Sequence, residues 1–480
     1  MPFNDLREYI KHVESLGELR ILENADCELE IGALTELAAQ AGGPALLFDK
    51  IKDYPAGFRV VSNLFFSNKR FLSALGLPLH LTEAETVRAW KKILSEMRPV
   101  PPVVVKSGPV LENEMTGAEV DLKKFPAPRW HELDGGYYLG TGDVVIVRDP
   151  DTGWINLGVY RMMVHDSGSA GLFFQAVRHG FQIAEKYWKK GQGCPVAISF
   201  GQEPVVFMAA GVALGYVRDQ LSEYDFAGYI RGEPLEVIEG KVTGLPFPAT
   251  AEIVLEGEIL PLDQQRLEGP FGEFTGYYGH KILPSPVVKV GAIYYRNDPI
   301  LIGAPPMKPT FGNHFSMSLG VAQTWNRLES MGIDCVHDIR RVCGLSALAV
   351  SIRQRSEGDV PGVIRALSKL QNFHRVAILV DDDVDVDDAK DILWALGTRC
   401  EPKTGTFIET GWSREELDPM APLECVEGRK PFETSRVIMN ACKPFGKLSD
   451  FPKVNVFSKP YLRKISDKWL QKLDFLNRLG

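Results

Sequence analysis

The segment Glu268-Gly269-Pro270-Phe271-Gly272-Glu273 cannot run through a long helix or the middle of a sheet. Glycine opens positive φ and lets backbones approach closely, while proline fixes φ and removes an amide donor. The segment is therefore a turn that sets two carboxylates at one place. It sits either on a solvated surface, as short acidic Gly/Pro turns commonly do, or in a cleft. In a cleft the two acids would oppose each other's ionisation and burial would raise the pKa further. That combination keeps a carboxylic acid protonated near neutral pH for general-acid work.

The chain around this turn has 480 residues, more than one hydrophobic core usually organises, so two or three domains are expected. With 45% hydrophobic and 24% charged residues it can bury substantial cores. A net charge of −8 argues against a nucleic-acid partner, and the basic run Lys186 to Lys190 reads as the solvated end of a helix. Met1 to Leu19 lacks the apolar run of a secretion signal, and Pro204 to Val217 is too short to span a membrane, so a buried helix and no stable membrane insertion are expected. Seven scattered cysteines without a CxxC pair suit free thiols in a reducing compartment, which predicts a cytoplasmic protein.

Periodicity places a helix on Phe3, Leu6, Ile10 and Val13, a strand over Leu19 to Leu22 and a helix over Glu30 to Gln40. Thr82 and Glu85 have capping-box spacing and open a helix to Met97, ended by Pro99-Val100-Pro101-Pro102. The middle predicts strands over 143–147, 155–164, 196–200, 237–242, 251–260 and 287–295, with helices over 172–189 and 203–217. After Pro305 and Pro306 come a helix over 314–331 and an alternation of strands (348–352, 376–380, 437–440) with helices (361–371, 387–397), which predicts a parallel α/β region. The tail from Pro460 to Leu479 reads as an amphipathic helix.

Three further places could carry chemistry. Strand alternation over 155–164 puts Asn156 and Gly158 on one face and Val159 and Arg161 on the other, unless a bulge re-aims them. An arginine in an interior strand needs an anion, either a buried structural acid or a bound acid substrate. Asn156, His179 and Glu223 would together offer an oxygen, a nitrogen and a carboxylate, a set suited to Mn²⁺ or Mg²⁺ bridging a phosphate, although spacing does not bring them together. The acidic run Asp381-Asp382-Asp383 with Asp385, Asp387 and Asp388 lacks the glycine and glutamate of a calcium loop and reads as charge at a helix N-terminus. No Walker loop or GxGxxG fingerprint follows a strand.

These residues assemble into a resemblance. The chain resembles, almost end to end, the UbiD-type decarboxylases that use prenylated flavin mononucleotide, within the branch acting on aromatic and heteroaromatic acids. The likeness rests on Asn156-Leu157-Gly158-Val159-Tyr160-Arg161, His179, Ser222-Glu223-Tyr224-Asp225-Phe226-Ala227-Gly228, the 268–273 turn with Thr275-Gly276-Tyr277-Tyr278, Asp381-Asp382-Asp383-Val384, and Trp394-Ala395-Leu396-Gly397-Thr398-Arg399. The fold it implies is α/β (α+β). An N-terminal α/β segment over 1–110 would precede a split β-barrel that binds prenylated FMN over 111–305. A linking helix over 306–332 and a C-terminal α/β oligomerisation domain with a terminal helix over 333–480 would follow.

By the same resemblance Arg161, Glu268 and Glu273 would be catalytic, and Asn156, Val159, Tyr160, Arg161, Arg178, His179 and Glu223 would bind the cofactor. Asn156, His179 and Glu223 would hold Mn²⁺ against its phosphate, with K⁺ nearby. Loss of CO₂ from an aromatic acid leaves an undelocalised electron pair on carbon, so the reaction needs an electron sink, which the modified flavin provides. Arg161 would orient the carboxylate, Glu268 would hold Arg161, and Glu273 would protonate the product carbon in a reaction reversible at high CO₂. The implied partners are a small aromatic acid, CO₂, a flavin prenyltransferase and further copies of the chain in a homodimer or homohexamer. Glu at 273 followed by Phe274 leans toward small aromatic acids. Alternative readings are a catalytic or flavin-carrying subunit of a multi-subunit decarboxylase, a 3-polyprenyl-4-hydroxybenzoate decarboxylase, and a metal-dependent phosphoryl enzyme built on the Asp381 cluster.

Overall fold

The computed structural model describes residues 3–173, 175–211, 221–279, 282–308, 314–342, 347–370 and 374–469. Local signals set the first elements. Asp5 caps the helix Leu6–Ser15 by accepting from the Glu8 amide, and the stripe Leu6, Tyr9, Ile10 and Val13 is buried. The strand Leu19–Glu23 and the helix Glu30–Gln40 follow as predicted. Thr82 and Glu85 form the predicted capping box on the helix Glu83–Glu96, the Thr82 hydroxyl accepting from the Glu85 amide at 3.3 Å and the Glu85 carboxylate from the Thr82 amide at 2.9 Å.

The central sheet decides the architecture. Its strands run in the spatial order Tyr138–Gly140, Arg161–Asp166, Ser169–Phe173, Val287–Tyr295, Ile253–Ile259, Cys194–Phe200, Asp143–Arg148 and Ile155–Gly158, with Asn113–Thr116 also pairing onto Val287–Tyr295. Neighbours along this path are antiparallel. Ile155–Gly158 and Arg161–Asp166 lie six steps apart on it, about 29 Å if the sheet were flat. Only Val159 and Tyr160 join them, and three Cα steps reach about 11 Å. The sheet must therefore curl until its ends nearly meet, which makes it a split barrel. The residue that opens the strand after the link is Arg161.

A second sheet joins the N-terminal segment to this barrel. Leu19–Glu23, Ala45–Asp49 and Arg59–Ser62 are completed by Ile300–Gly303, which arrives from the end of the barrel region. The C-terminal sheet has the order Val336–Val342, Ala347–Ile352, Val376–Asp381, Phe432–Asn440, Thr406–Arg414. One core, including Tyr9, Trp90, Tyr224, Leu319 and Leu348, runs from the N-terminal helices to the C-terminal sheet, and another, with Tyr138, Val145, Met162, Leu172 and Phe200, fills the barrel. Among the described residues no helix is long and apolar enough to cross a membrane.

Four sequence expectations are corrected. The single strand over 155–164 is two strands broken at Val159-Tyr160, so Arg161 shares no strand face with Val159. Alternation stays in phase across that link and gives no sign of the break. The helix over 172–189 is the end of the strand Ser169–Phe173 and then the helix His179–Trp188, because apolar Leu172 and Phe173 fit either period. The C-terminal sheet is mixed: its inner pairs are parallel, whereas the missed edge strands Val336–Val342 and Thr406–Arg414 pair antiparallel. The strand over 237–242 ends earlier, as Glu236–Glu239. Pro204–Ala210 is a buried helix and His314–Ser330 and Lys459–Trp469 are helices; 212–220 and 470–480, which the predicted elements also cover, lie outside the described residues.

Replacing Thr82 with Ala removes one half of the capping box and is expected to cost about 1 kcal/mol. Urea unfolding would show it as a lower midpoint with an unchanged slope. An unchanged midpoint would contradict the assignment.

Candidate active site

The turn at 268–273 is held by its neighbours and not by solvent. Gly269 has φ 86°, the left-handed region that favours glycine. Gly135 donates its amide to Pro270 O at 2.8 Å and packs so closely that a Cβ on Gly135 would lie 1.9 Å from Gly269 O. Asp134 accepts from the amides of Trp130, His131 and Gly272, tying the turn to the 130–134 segment. Both bracketing acids are consequently buried, Glu268 at 1% and Glu273 at 8% exposure.

Arg161 lies between them. Its Nε and Nη2 donate to the two carboxylate oxygens of Glu268 at 2.9 and 2.8 Å, a bidentate pair, and its Nη1 donates to Glu273 Oε1. The guanidinium carbon stands 4.0 Å from the Phe173 ring centroid and 5.5 Å from that of Phe271. Burial opposes the Arg161 charge, but the Glu268 and Glu273 carboxylates outweigh it and raise its pKa. The Tyr138 hydroxyl adds a donor to Glu268 Oε1 at 2.8 Å. Glu273 is pushed up to about 7, first by burial and then by the Glu268 charge, against the pull of Arg161. One guanidinium cannot neutralise two buried carboxylates, so a proton near neutral pH is shared into the cluster at Glu273.

The second group of predicted residues lies on the other side of the two-residue link. Glu223 and His179 are the first residues of the helices Glu223–Arg231 and His179–Trp188, and both helices pack against the strand Ile155–Gly158 that carries Asn156. Glu223 accepts from the Leu157 amide at 2.8 Å and, at 3.4 Å, from Asn156 Nδ2. Asn156 Oδ1 is buried without a hydrogen-bond partner, and burial pushes the Glu223 carboxyl up to about 8. His179 packs edge-on against Trp154 at 5.2 Å and shares no hydrogen bond with Asn156 or Glu223 among the described residues. The Tyr160 ring fills the space beside Gly158 and Gly180, where a Cβ would come within 2.8 Å of it. Arg178, the residue before that helix, donates to Gln175 and lies 3.8 Å from Glu415. Among the described residues no group of three or more His, Cys, Asp or Glu side chains is placed to hold a metal ion, and the Asn156 set contains only two of those types.

The Asp381 run is spent on structure. Asp388 caps the helix Ala389–Arg399 as expected of an acid there, while Asp382, Asp383 and Asp387 pair with Arg353, Arg399 with Lys443, and Arg340.

Comparison with known proteins fits this geometry. Models of the 3-octaprenyl-4-hydroxybenzoate carboxy-lyase family match residues 10–93 (N-terminal domain), 103–309 (Rift-related domain) and 319–441 (C-terminal domain). The chain is 32% identical to a pyrrole-2-carboxylic acid decarboxylase of Pseudomonas aeruginosa, over 92% of this chain and 91% of that one. It is also 32% identical to a phenolic acid decarboxylase of Bacillus subtilis, over the whole of both. The UbiD-class enzyme HmfF from Pelotomaculum thermopropionicum, solved with prFMN, superposes with a TM-score of 0.82 at 25% identity, covering 97% of this chain and 100% of that one. The chain belongs to the UbiD family and is a carboxy-lyase, a decarboxylase.

Sequence reasoning missed several buried residues. Tyr138 and Phe173 sit in apolar strands and look like core. Asp143 carried a readable signal, an acid opening the run Val144-Val145-Ile146-Val147. It is fully buried, neither of its carboxyl oxygens has a hydrogen-bond partner among the described residues, and burial pushes it up to about 8. The folded protein therefore holds this proton more tightly than the unfolded chain, and stability is lost as pH rises from the ordinary carboxyl range to about 8. Asp143→Asn should gain stability relative to the parent, in cofactor-free protein, as pH rises through that window. Denaturation midpoints whose difference stays constant with pH would contradict it.

Proposed function

We propose that this protein decarboxylates a small aromatic or heteroaromatic acid with prenylated FMN bound in the barrel. The observation that carries the reading is Arg161 held between buried Glu268 and Glu273. An arginine has five N–H donors, of which three are spent on these glutamates, leaving two for a substrate carboxylate. Glu268 fixes the guanidinium so that no reorganisation is needed when substrate arrives.

Prenylated FMN, when bound, supplies the electron sink for the pair released as the carbon–carbon bond to CO₂ breaks. The residues of the chain do the rest. Arg161 orients the departing carboxylate. Glu273 gives its proton to the carbon that CO₂ has left, becomes a carboxylate, and is reprotonated from solvent, so that R–COO⁻ and H⁺ become R–H and CO₂. The reverse direction runs at high CO₂.

The residues present also fit a metal-bound cofactor phosphate. Asn156 Oδ1 is an orphaned buried acceptor and Glu223 a buried carboxyl that makes no ion pair among the described residues. A divalent cation such as Mn²⁺ would satisfy both. The positive ends of the two helices opened by His179 and Glu223 would suit the phosphate, and K⁺ belongs to the same reading. Val159, Tyr160 and Arg178 flank these groups and are assigned to the cofactor with them. A flavin prenyltransferase would supply the cofactor. Exposed Val456, Phe457, Tyr461 and Leu462 support self-association through the C-terminal region, as a dimer or hexamer.

Glu273→Gln should keep the flavin spectrum and lower kcat at least about 100-fold, the range of general-acid contributions. In the parent, turnover should fall as pH rises through about 7, because only protonated Glu273 donates. Full activity of the Gln variant on a panel of aromatic acids would overturn the assignment. Separately, Glu223→Gln should lower bound metal and flavin occupancy together, measured by elemental analysis and absorbance of protein made with a flavin prenyltransferase. Unchanged occupancy would remove Glu223 from the metal set.

A further inference from the structure

The supports behind Arg161 lead to a residue far along the chain. Arg429 lies between the helix Leu423–Glu427 and the strand Phe432–Asn440 of the C-terminal sheet, yet its side chain reaches the barrel. Its Nη2 donates to Pro284 O at 2.6 Å and to Ser285 Oγ at 2.9 Å. Those residues form the strand Leu283–Ser285, paired with Arg266–Glu268 so that Leu283 registers with Glu268 and Pro284 with Leu267. The Arg429 guanidinium carbon is also 5.3 Å from the Phe173 ring centroid, the ring against which Arg161 lies at 4.0 Å. Arg429 thus touches both things that hold Arg161: the ribbon that presents Glu268, and the aromatic face beside the guanidinium.

Two further facts set this contact apart from a surface ion pair. Arg429 has φ 47°, a left-handed conformation that is strained for a non-glycine residue and persists only where surrounding contacts fix it. Burial also depresses its pKa, with Glu268 and Glu416 supporting the charge and Arg161 opposing it. A strained, half-buried cation that shares one phenylalanine with another cation is not an economical way to join two domains. It is an effective way to fix a ring and a strand at once.

We propose that Arg429 is a positioning residue for the decarboxylation site, locking Phe173 and the Leu283–Ser285 strand so that Glu268 and Arg161 keep their bidentate geometry. The inference rests on the decarboxylase reading above. It adds that the C-terminal sheet contributes to the chemistry through this side chain without touching substrate.

The test uses the full-length, flavin-loaded protein and the variants Arg429→Met, which keeps bulk without charge, and Arg429→Lys, which keeps charge without the fork. Arg429→Met should lower kcat about 10- to 100-fold, as expected for a slight misplacement of reacting groups. KM should change far less, and flavin occupancy should hold. Amide hydrogen exchange should quicken at Leu267, Glu268, Leu283 and Ser285 while Val376–Asp381 stays protected. Arg429→Lys should recover part of kcat. Parental kcat in Arg429→Met, or unchanged exchange along the ribbon, would overturn the proposal. So would faster exchange throughout the C-terminal sheet, which would mark a general packing role. A parent protein inactive on every aromatic acid offered would instead sink the decarboxylase reading, and the exchange measurements would still judge Arg429.

Discussion

Two carboxylates and one guanidinium share a space that water barely enters, and the remaining features of this site answer that imbalance. A buried Arg–Glu pair can offset its desolvation when the geometry is bidentate, as between Arg161 and Glu268. A second buried glutamate cannot be balanced in the same way. Its proton is retained into the neutral range, and that retained proton is the property a general acid needs. The Tyr138 hydroxyl and the faces of Phe173 and Phe271 are placed where they stabilise the charged pair without adding another full charge.

The fold makes this arrangement possible by bringing together residues that are distant in sequence. Arg161 opens its strand because the barrel closes through a two-residue link, and the same link carries the chain directly from Asn156 on one strand to Arg161 on the other. The turn that holds Glu268 and Glu273 is pinned from outside by Gly135 and Asp134. Curling the sheet therefore sets Asn156, beside Glu223, and Arg161, bonded to Glu268 and Glu273, at the two ends of one short link.

Much of the fold was legible because its local signals agree. The amphipathic first helix, the Thr82 capping box and the strand Val287–Tyr295 all follow from period and cap chemistry. Two of the misreadings share one physical cause. Around Val159-Tyr160 and Leu172-Phe173 the residues remain apolar while the chain changes direction or element, so the pattern carries no mark of the break. The edge strands Val336–Val342 and Thr406–Arg414 were missed because charged and polar residues dilute their alternation.

The site was legible in a different sense. The acidic turn announced itself through Gly and Pro, and Arg161 through its need for an anion, but only the fold brings them together. Tyr138, Phe173 and Arg429 gave little or no chemical motif, because a core aromatic and a positioning side chain look the same in one sequence. The central claim is that Glu273 stays protonated into the neutral range because it is buried beside the Glu268 carboxylate and the single Arg161 guanidinium they share cannot offset both. Infrared difference spectra of isotopically labelled glutamate, titrated with pH in the parent and in Glu273→Gln, test it directly. A carboxyl band lost near pH 7 in the parent and missing from the variant is the predicted result. A Glu273 that is ionised throughout the neutral range and well into acid would contradict the account.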